Sequence, residues 1–160
     1  MKDNPTSETE FIRFYREHWA RLEAAMALTL PQGEDPADVA QEAFTRAYEH
    51  WEEVRVHPKP DGWLFLTGYR ISSGLRRRAV TRAKTAPWAQ STYQAEATGA
   101  DLLEGLPARQ RAALLLRHFY GLSTRETAEA LGCREGTVKS LLARARQRLR
   151  LEIAIEGRES

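Results

Sequence analysis

Apolar residues recur along this chain every three or four positions, which is the spacing of one face of an α-helix. The spacing predicts a first helix over residues 11–30 and a second over residues 37–51. Asp35 and Pro36 precede the second helix as an N-cap and a first-turn proline. Ser7, followed three residues later by Glu10, predicts a capping box at the start of the first helix.

A proline-containing segment separates the second helix from a third. Pro58, Pro60 and Gly62 interrupt residues 52–62, so a continuous helix is not expected there. The third helical pattern covers residues 63–80, and it begins apolar and ends basic. Residues 85–101 are small and polar without a clear period, which predicts a flexible linker between two domains.

Three more helices are predicted after the linker. Pro107 opens the first, over residues 108–120, and Gly121 ends it. Ser123 and Glu126 predict a capping box for a short helix over residues 124–131, which Gly132 ends before the last helix. Because no segment has the alternation of a strand, we expect an all-α fold. It consists of two small helical bundles, residues 1–84 and 102–160, joined by a flexible linker.

Charge is distributed unevenly, although the net charge of the 160 residues is only +2. Residues 1–60 hold 12 acidic and 7 basic residues, whereas residues 70–84 hold six basic residues and no acidic one. Residues 133–150 hold six basic residues against one acidic residue. Because the net charge is small, the positions of these two basic patches, rather than the net charge, indicate what kind of partner the protein binds.

The remaining composition argues against several classes of site. A single cysteine, Cys133, excludes an internal disulfide framework, and the four histidines lack paired metal-ligand spacing. We therefore predict no metal and no cofactor. No apolar run is long enough to span a bilayer, so we expect a cytoplasmic protein without membrane insertion.

The segment from the short helix to the last one has the signature of a helix-turn-helix unit, in which the second helix lies in the major groove of DNA. With Val138 and Leu149 set inward, Lys139, Ser140 and Arg144 face outward on the helical wheel. Arginine can pair bidentately with phosphate or guanine. A merely solvated basic helix is the alternative, and the preceding helix and glycine turn favour DNA binding.

Two stretches of the chain resemble bacterial RNA polymerase sigma factors. Residues 106–150 resemble region four, through a Leu-Pro-x-x-x-Arg opening and the Gly-Thr-Val-Lys-Ser run at residues 136–140. Residues 35–51 resemble region two, through a pattern formed by Asp38, Gln41, Glu42, Phe44, Ala47 and Tyr48. Because both regions occur in order with only a short linker, the chain resembles the extracytoplasmic-function group of the sigma-70 family. Within this group, the tryptophan-containing run over residues 51–78 resembles the actinobacterial forms.

The resemblance implies three sets of contacts. The residues expected to bind the upstream promoter element, at minus thirty-five, are Arg134, Glu135, Thr137, Lys139, Ser140, Arg144, Arg146 and Arg148. Minus-ten element binding and melting are expected of Arg55, His57, Lys59, Tyr69, Arg70, Arg76, Arg77 and Arg78. Docking on the polymerase clamp is expected of Asp38, Gln41, Glu42 and Arg46. A solvated acidic face would explain the composition of the third set equally well.

The chain also departs from the family at single positions. Gly74 stands where the family often has Asp, Thr127 stands where Ile is usual, and Arg134 stands where a Ser N-cap is typical. The loss of that cap costs about 1 kcal/mol of helix stability.

The resemblance implies a sigma subunit that binds core RNA polymerase and promoter DNA and promotes melting, with no catalytic residue and no small-molecule substrate. The family often has an anti-sigma factor as a further partner. The alternative function is a helix-turn-helix regulator that binds duplex DNA without being a polymerase subunit. An enzyme is the third hypothesis, with Glu42 and His50, or Asp61 and His57, as acid and base. Neither pair comes with a recognisable nucleophile, metal cluster or phosphate loop.

Overall fold

The computed structural model describes residues 5–30, 33–85, 102–103 and 105–159. These residues form helices and connecting turns, and none of them lies in a strand. The chain divides into two compact units, residues 1–90 and 91–160, which we call the N-terminal and C-terminal units. The prediction of an all-α fold with two helical bundles is confirmed. Of the predicted linker, residues 86–101 lie outside the described residues, whereas Thr85 is the last residue of a helix.

The described part of the N-terminal unit consists of α1 (Pro5–Ala27), α2 (Pro36–Glu49), α3 (Trp51–Val54) and α4 (Pro60–Thr85). The predicted cap of α2 is confirmed, because the Asp35 carboxylate accepts a hydrogen bond of 2.9 Å from the Ala37 N–H. The short helix α3 lies in the segment that was expected to be irregular, and its last turn closes with a 2.8 Å bond from the Arg55 N–H to the Trp51 carbonyl. The prolines confine α3 to one turn.

Aromatic side chains form the core of the N-terminal unit. The buried Phe44 ring of α2 lies 4.7 Å from Tyr15, 5.8 Å from Trp19 and 6.0 Å from Phe14, all on α1. Trp51 packs on Phe14 at 5.3 Å between ring centroids, so the same cluster anchors α3. This cluster fixes the start of the loop between α3 and α4.

The prediction of a capping box at Ser7 is wrong. α1 begins at Pro5, and Ser7 is a buried residue inside it. The Ser7 hydroxyl donates a 2.9 Å hydrogen bond to Glu52, and the Ser7 carbonyl accepts a 3.0 Å bond from the Trp51 indole N–H. Because α3 packs here and supplies a carboxylate acceptor, the tertiary contact takes the place of the local cap.

The described part of the C-terminal unit contains α5 (Ala108–Leu114), α6 (Thr124–Leu131) and α7 (Glu135–Glu159). α5 continues as a π-helical turn over Leu115–Phe119, in which the Tyr120 N–H bonds the Leu115 carbonyl at 2.9 Å. A period of 3.6 residues does not predict this wider turn. Gly121, with φ +68°, ends the helix as predicted.

Helix α6 and the turn that follows it are built as the sequence predicts. The Ser123 hydroxyl accepts a bond of 3.1 Å from the Glu126 N–H, and the Glu126 carboxylate accepts one of 2.6 Å from the Ser123 N–H. Gly132 has the left-handed φ of +63° that glycine adopts without a steric cost. Below this turn lies a small aliphatic core formed by Ala113, Ala128, Val138 and Leu142.

Candidate nucleic-acid interface

The outer face of α7 is the first candidate surface. The inner face of α7 is buried in the C-terminal unit, as the helical wheel predicted, through Val138, Leu142 and Ala145. All residues of the predicted upstream set are exposed, and they are Arg134, Glu135, Thr137, Lys139, Ser140, Arg144, Arg146 and Arg148. The structure therefore brings these residues to one exposed stretch of helix, and their contact with DNA stays a prediction.

Arg134 is the N-cap residue of α7. Its carbonyl accepts bonds from the N–H groups of Thr137 at 3.0 Å and Val138 at 3.2 Å, which are the first bonds of the helix. Its exposed side chain is a guanidinium rather than a capping hydroxyl, and guanidinium lacks an acceptor for the N–H groups of the first turn. These N–H groups point toward any anion that approaches this end of the helix.

The loop between α3 and α4 is the second candidate surface. The guanidinium of Arg55 lies 3.3 Å from Glu10 on α1 and 3.8 Å from Glu52 on α3. The His57 ring accepts a 3.0 Å bond from the Lys59 N–H, which closes the tip of the loop. Arg55 therefore ties the loop to two helices, whereas the His57 side chain is exposed beyond them.

Val56, at the tip of this loop, is a residue that sequence reasoning did not single out. Its side chain is 72% exposed, which is the largest exposure among the large apolar residues described. An apolar residue between two basic ones in a segment bounded by prolines is the signal that could have identified it. An exposed apolar side chain at a loop tip can contact the face of an unstacked base.

The basic C-terminal half of α4 belongs to the same predicted set as this loop. Arg70, Arg77 and Arg78 are exposed, whereas Tyr69 is half-buried and stacks on Phe65 at 6.2 Å between ring centroids. Arg76 lies on α4, and its side chain is outside the described residues.

The acidic face of α2 is the third candidate surface. Asp38, Gln41, Glu42 and Arg46 are all exposed, whereas Val39, Ala43 and Ala47 on the opposite side are buried. The Arg46 Nε donates a 2.9 Å bond to Glu42 one turn away, so the two charges are paired on the surface. The structure places the whole predicted docking set on one face, and its partner stays a prediction.

Asp61 and His57, one of the two pairs considered as acid and base, bond to other groups. Asp61 accepts a 2.9 Å bond from the Gly62 N–H and lies 3.9 Å from Arg21, whereas His57 bonds within its own loop. In the described part of the chain, His, Cys, Asp and Glu form no group of three that could hold a metal ion. No described helix is long and apolar enough to cross a membrane.

Known proteins match both the sequence and the fold. The family model "Sigma-70, region 4" matches residues 100–149. The RNA polymerase sigma-E factor of Streptomyces coelicolor is 32% identical over 152 residues, which cover 90% of this chain and 86% of that protein. The ECF RNA polymerase sigma factor SigM of Mycobacterium tuberculosis is 34% identical over 146 residues, covering 87% of this chain and 74% of SigM. The chain belongs to the extracytoplasmic-function sigma factors.

A solved structure agrees with this sigma factor in fold. The sigma factor RpoE, in complex with the anti-sigma factor NepR from Bartonella quintana, matches with a TM-score of 0.74 at 20% identity. The match covers 91% of this chain and 98% of RpoE. The predicted family is confirmed, and a duplex-binding regulator that is not a polymerase subunit is not favoured.

Proposed function

We propose that this sigma factor binds core RNA polymerase through the exposed face of α2, reads the minus-thirty-five element with α7, and reads and melts the minus-ten element with α4 and the preceding loop. The observation that carries the proposal is the outer face of α7. Its predicted DNA-binding residues are all exposed, while Val138 and Leu142 fix the helix on a buried core.

On α7, small and basic side chains supply the recognition chemistry. Ser140 lets the helix backbone approach the floor of the major groove, while Lys139 and Arg144 reach base edges or phosphates on either side. A good bidentate contact discriminates between bases by about 1–3 kcal/mol. Arg146 and Arg148, further along the helix, hold the flanking phosphates.

In the N-terminal unit, the loop at residues 55–59 receives a base that leaves the duplex. Extruding a base costs a few kcal/mol, which stacking and electrostatic contacts must offset. Val56 offers the apolar contact, and Arg70 and Arg77 on α4 hold strand phosphates. Arg55 serves this site through its pairs with Glu10 and Glu52, which keep the loop in place.

The polymerase performs the chemistry of transcription, so the sigma factor needs no catalytic group and no cofactor. Asp38 and Glu42 supply negative charge for docking on a basic surface of the polymerase. The protein acts in the cytoplasm, where the polymerase and the promoter are. An anti-sigma factor is a further proposed partner, and the complex of RpoE with NepR supports it.

Transcription start sites mapped after induced expression would supply the promoter, which is then tested in a purified system with core polymerase. Lys139→Ala and Arg144→Ala are each expected to weaken binding to the upstream element roughly tenfold, since each removes one phosphate or base contact. Arg16→Ala, an exposed cation on α1 in the other unit, is the matched control. Equal affinity of all three variants at matched salt would contradict groove placement of α7.

Docking is tested by reversing charge on α2. Asp38→Lys combined with Glu42→Lys is expected to reduce association with core polymerase at least tenfold, because two attractive pairs become repulsive. The control reverses two exposed acids on α1, Glu8→Lys with Glu17→Lys. If both double variants associate like the wild type, the assignment of α2 to the polymerase fails.

A further inference from the structure

The loop between α3 and α4 is closed by a series of short hydrogen bonds. The Arg55 N–H bonds the Trp51 carbonyl at 2.8 Å, and the His57 N–H bonds the Val54 carbonyl at 3.1 Å. The Lys59 N–H then bonds Nδ1 of the His57 ring at 3.0 Å. The first two acceptors are carbonyl oxygens, which do not take up protons near neutral pH. The third is an imidazole nitrogen, which does.

The sequence makes this third bond hard to replace. Pro58 and Pro60 lack an N–H group, so Lys59 supplies the single backbone donor between His57 and Asp61. No neighbouring amide can therefore close the tip of the loop if the bond from Lys59 to the His57 ring is lost.

The same bond supports the start of α4. The Lys59 carbonyl accepts a 3.1 Å bond from the Trp63 N–H, which makes Lys59 the N-cap residue of this helix. In a capping box, the side chain at position N3 accepts the N–H of the N-cap residue, but here that position is Gly62, which has no side chain. The His57 ring therefore supplies an acceptor that the first turn of α4 lacks.

Among the described residues, the Lys59 N–H is the one polar partner of the exposed His57 ring. No carboxylate in the described part of the chain forms an ion pair with this ring. The charged groups of the loop and of the elements that adjoin it are Glu10, Arg13, Glu17 and Arg21 on α1, Glu52 and Glu53 on α3, Arg55 and Lys59 in the loop, and Asp61 on α4.

We propose that His57 is a positioning residue for promoter opening, which holds the tip of the loop through Lys59 and acts only while its Nδ1 carries no proton. A backbone N–H can only donate, so the bond requires an unprotonated Nδ1. Imidazole takes up a second proton between about pH 5 and pH 8, and Nδ1 of the imidazolium is a donor. Acid therefore opens the tip that presents Val56, whose side chain is 72% exposed.

This role predicts a pH dependence opposite in sign to that of a direct DNA contact. An imidazolium on a phosphate would strengthen DNA binding as the pH falls, because the ring gains a positive charge. A ring that holds the loop loses its effect as the pH falls, because it loses its acceptor. The inference deepens the proposed function: it rests on the loop as the site that receives an unstacked base, and it makes that site sensitive to pH.

His57→Asn is the conservative variant. An asparagine side-chain carbonyl accepts the N–H two residues further on, as in an Asx-turn, and it takes up no proton in this pH range. His57→Asn therefore keeps the bond to Lys59 at every pH tested, whereas His57→Ala removes it at every pH. His118→Asn makes the same exchange at an exposed histidine of the C-terminal unit and is the matched control.

The first experiment follows the Lys59 amide and the ring nitrogens of His57 by NMR, in the full chain without DNA or polymerase, between about pH 8 and pH 5.5. The neutral ring is expected to carry its proton on Nε2, and the Lys59 resonance is expected to shift as the ring takes up its second proton. In His57→Asn the Lys59 resonance should stay constant. A Lys59 amide that does not follow the protonation of His57 would overturn the proposal.

The second experiment measures the rate of promoter opening with core polymerase, through 2-aminopurine fluorescence in the minus-ten element of a promoter taken from the map of start sites. Wild type and His57→Asn are expected to match near pH 8. Near pH 5.5 the wild type should be roughly three- to tenfold slower than His57→Asn, which is the equivalent of one hydrogen bond. His57→Ala should be slower by this factor at both pH values, and His118→Asn should match the wild type.

These outcomes separate the positioning role from its alternatives and from the proposed function. A side chain that only packs would slow His57→Asn and His57→Ala alike at every pH, and a direct phosphate contact would make the wild type gain on His57→Asn in acid. Either result overturns the proposal. If the wild type opens no promoter at any pH, the proposed function fails, and the NMR titration alone then decides whether His57 holds the loop.

Discussion

The two units of this sigma factor hold their basic surfaces in different ways. In the N-terminal unit, Ser7 and Glu52, and likewise Glu10 and Arg55, bond across 45 residues of sequence, above a core of aromatic rings. In the C-terminal unit, the backbone bonds of the turn before α7 run over no more than five residues, as from the Cys133 N–H to the Ala128 carbonyl, and one side-chain bond, from Arg109 to the Leu131 carbonyl, spans 22 residues. The first surface therefore depends on bonds between residues distant in sequence, whereas the second combines a local glycine turn with the small core that holds Val138 and Leu142.

Removal of the central aromatic ring tests the dependence on packing most strongly. Phe44→Ala is expected to destabilise the N-terminal unit by about 3–5 kcal/mol, because the site is fully buried and three rings of α1 surround it. Trp19, Trp51 and Trp63 lie on described helices of this unit, so tryptophan fluorescence in a urea titration reports its unfolding.

The control for this substitution is Ile12→Ala on the outer side of α1, where the side chain is 44% exposed. It is expected to change the free energy of unfolding by less than about 0.5–1 kcal/mol. The C-terminal unit, followed by hydrogen exchange of residues 108–150, should be unaffected by either change. Similar midpoints for Phe44→Ala and Ile12→Ala would show that the aromatic cluster is not the basis of the fold.

Replacing either of two glycines by alanine tests the comparison further, because the expected loss of stability has a different cause in each unit. A Cβ at Gly68 on α4 would lie 2.6 Å from the Met26 sulfur, so Gly68→Ala is expected to cost about 1–3 kcal/mol by overpacking. A Cβ at Gly132 would meet nothing within 4 Å, and Gly132→Ala costs about 1–2 kcal/mol through its positive φ alone.

Fluorescence for Gly68 and hydrogen exchange for Gly132 measure these losses in the unit concerned. A double-mutant cycle with Met26→Ala tests the clash: Met26→Ala alone costs about 2–5 kcal/mol because Met26 is buried, and Gly68→Ala should cost less in the Met26→Ala background than in the wild type. Gly136→Ala, at a helical glycine with open space around it, is the control in the C-terminal unit, and there alanine is expected to stabilise α7. A loss at Gly136 as large as the loss at Gly132 would refute the backbone explanation.

The same contrast explains what could be predicted from the sequence. Helix boundaries could be predicted at Asp35, Ser123 and Gly132, because capping bonds act within a few residues. The outer face of α7 could be predicted from the helical period. The buried role of Ser7 could not be predicted, because a serine three residues before a glutamate has the same local pattern whether or not another helix covers it. The groove that Arg46, Arg70 and Arg78 line likewise could not be predicted, because it depends on the packing of α2 on α4.

The π-helical turn at Leu115–Phe119 marks another limit of local reasoning. Its sequence, Leu-Leu-Arg-His-Phe, has an ordinary helical pattern, and the wider turn shows only in the bond from the Tyr120 N–H to the Leu115 carbonyl. The helical period also could not predict that Arg55 pairs with Glu10, since the two residues are 45 positions apart in the sequence. In each case, the missing information is which surfaces of the helices meet.

Two buried threonines give the smallest and most specific test. The Thr29 hydroxyl donates a 3.2 Å bond to the Met26 carbonyl and lies 3.4 Å from the Ser72 hydroxyl, whereas the equally buried Thr127 hydroxyl has no hydrogen-bond partner among the described residues. Valine has nearly the same shape as threonine without the hydroxyl. Thr29→Val is therefore expected to cost about 1 kcal/mol, and Thr127→Val to stabilise its unit by up to about 1 kcal/mol.

The opposite signs of these two changes are the decisive feature, because a general effect of replacing threonine by valine would shift both units in the same direction. Tryptophan fluorescence in urea measures the loss at Thr29, and hydrogen exchange of residues 108–150 measures the gain at Thr127. A destabilised Thr127→Val variant would mean that this hydroxyl is bonded in solution, for example to a trapped water. A serine at position 127 keeps the hydroxyl and loses the methyl group, so it should destabilise the unit in either case.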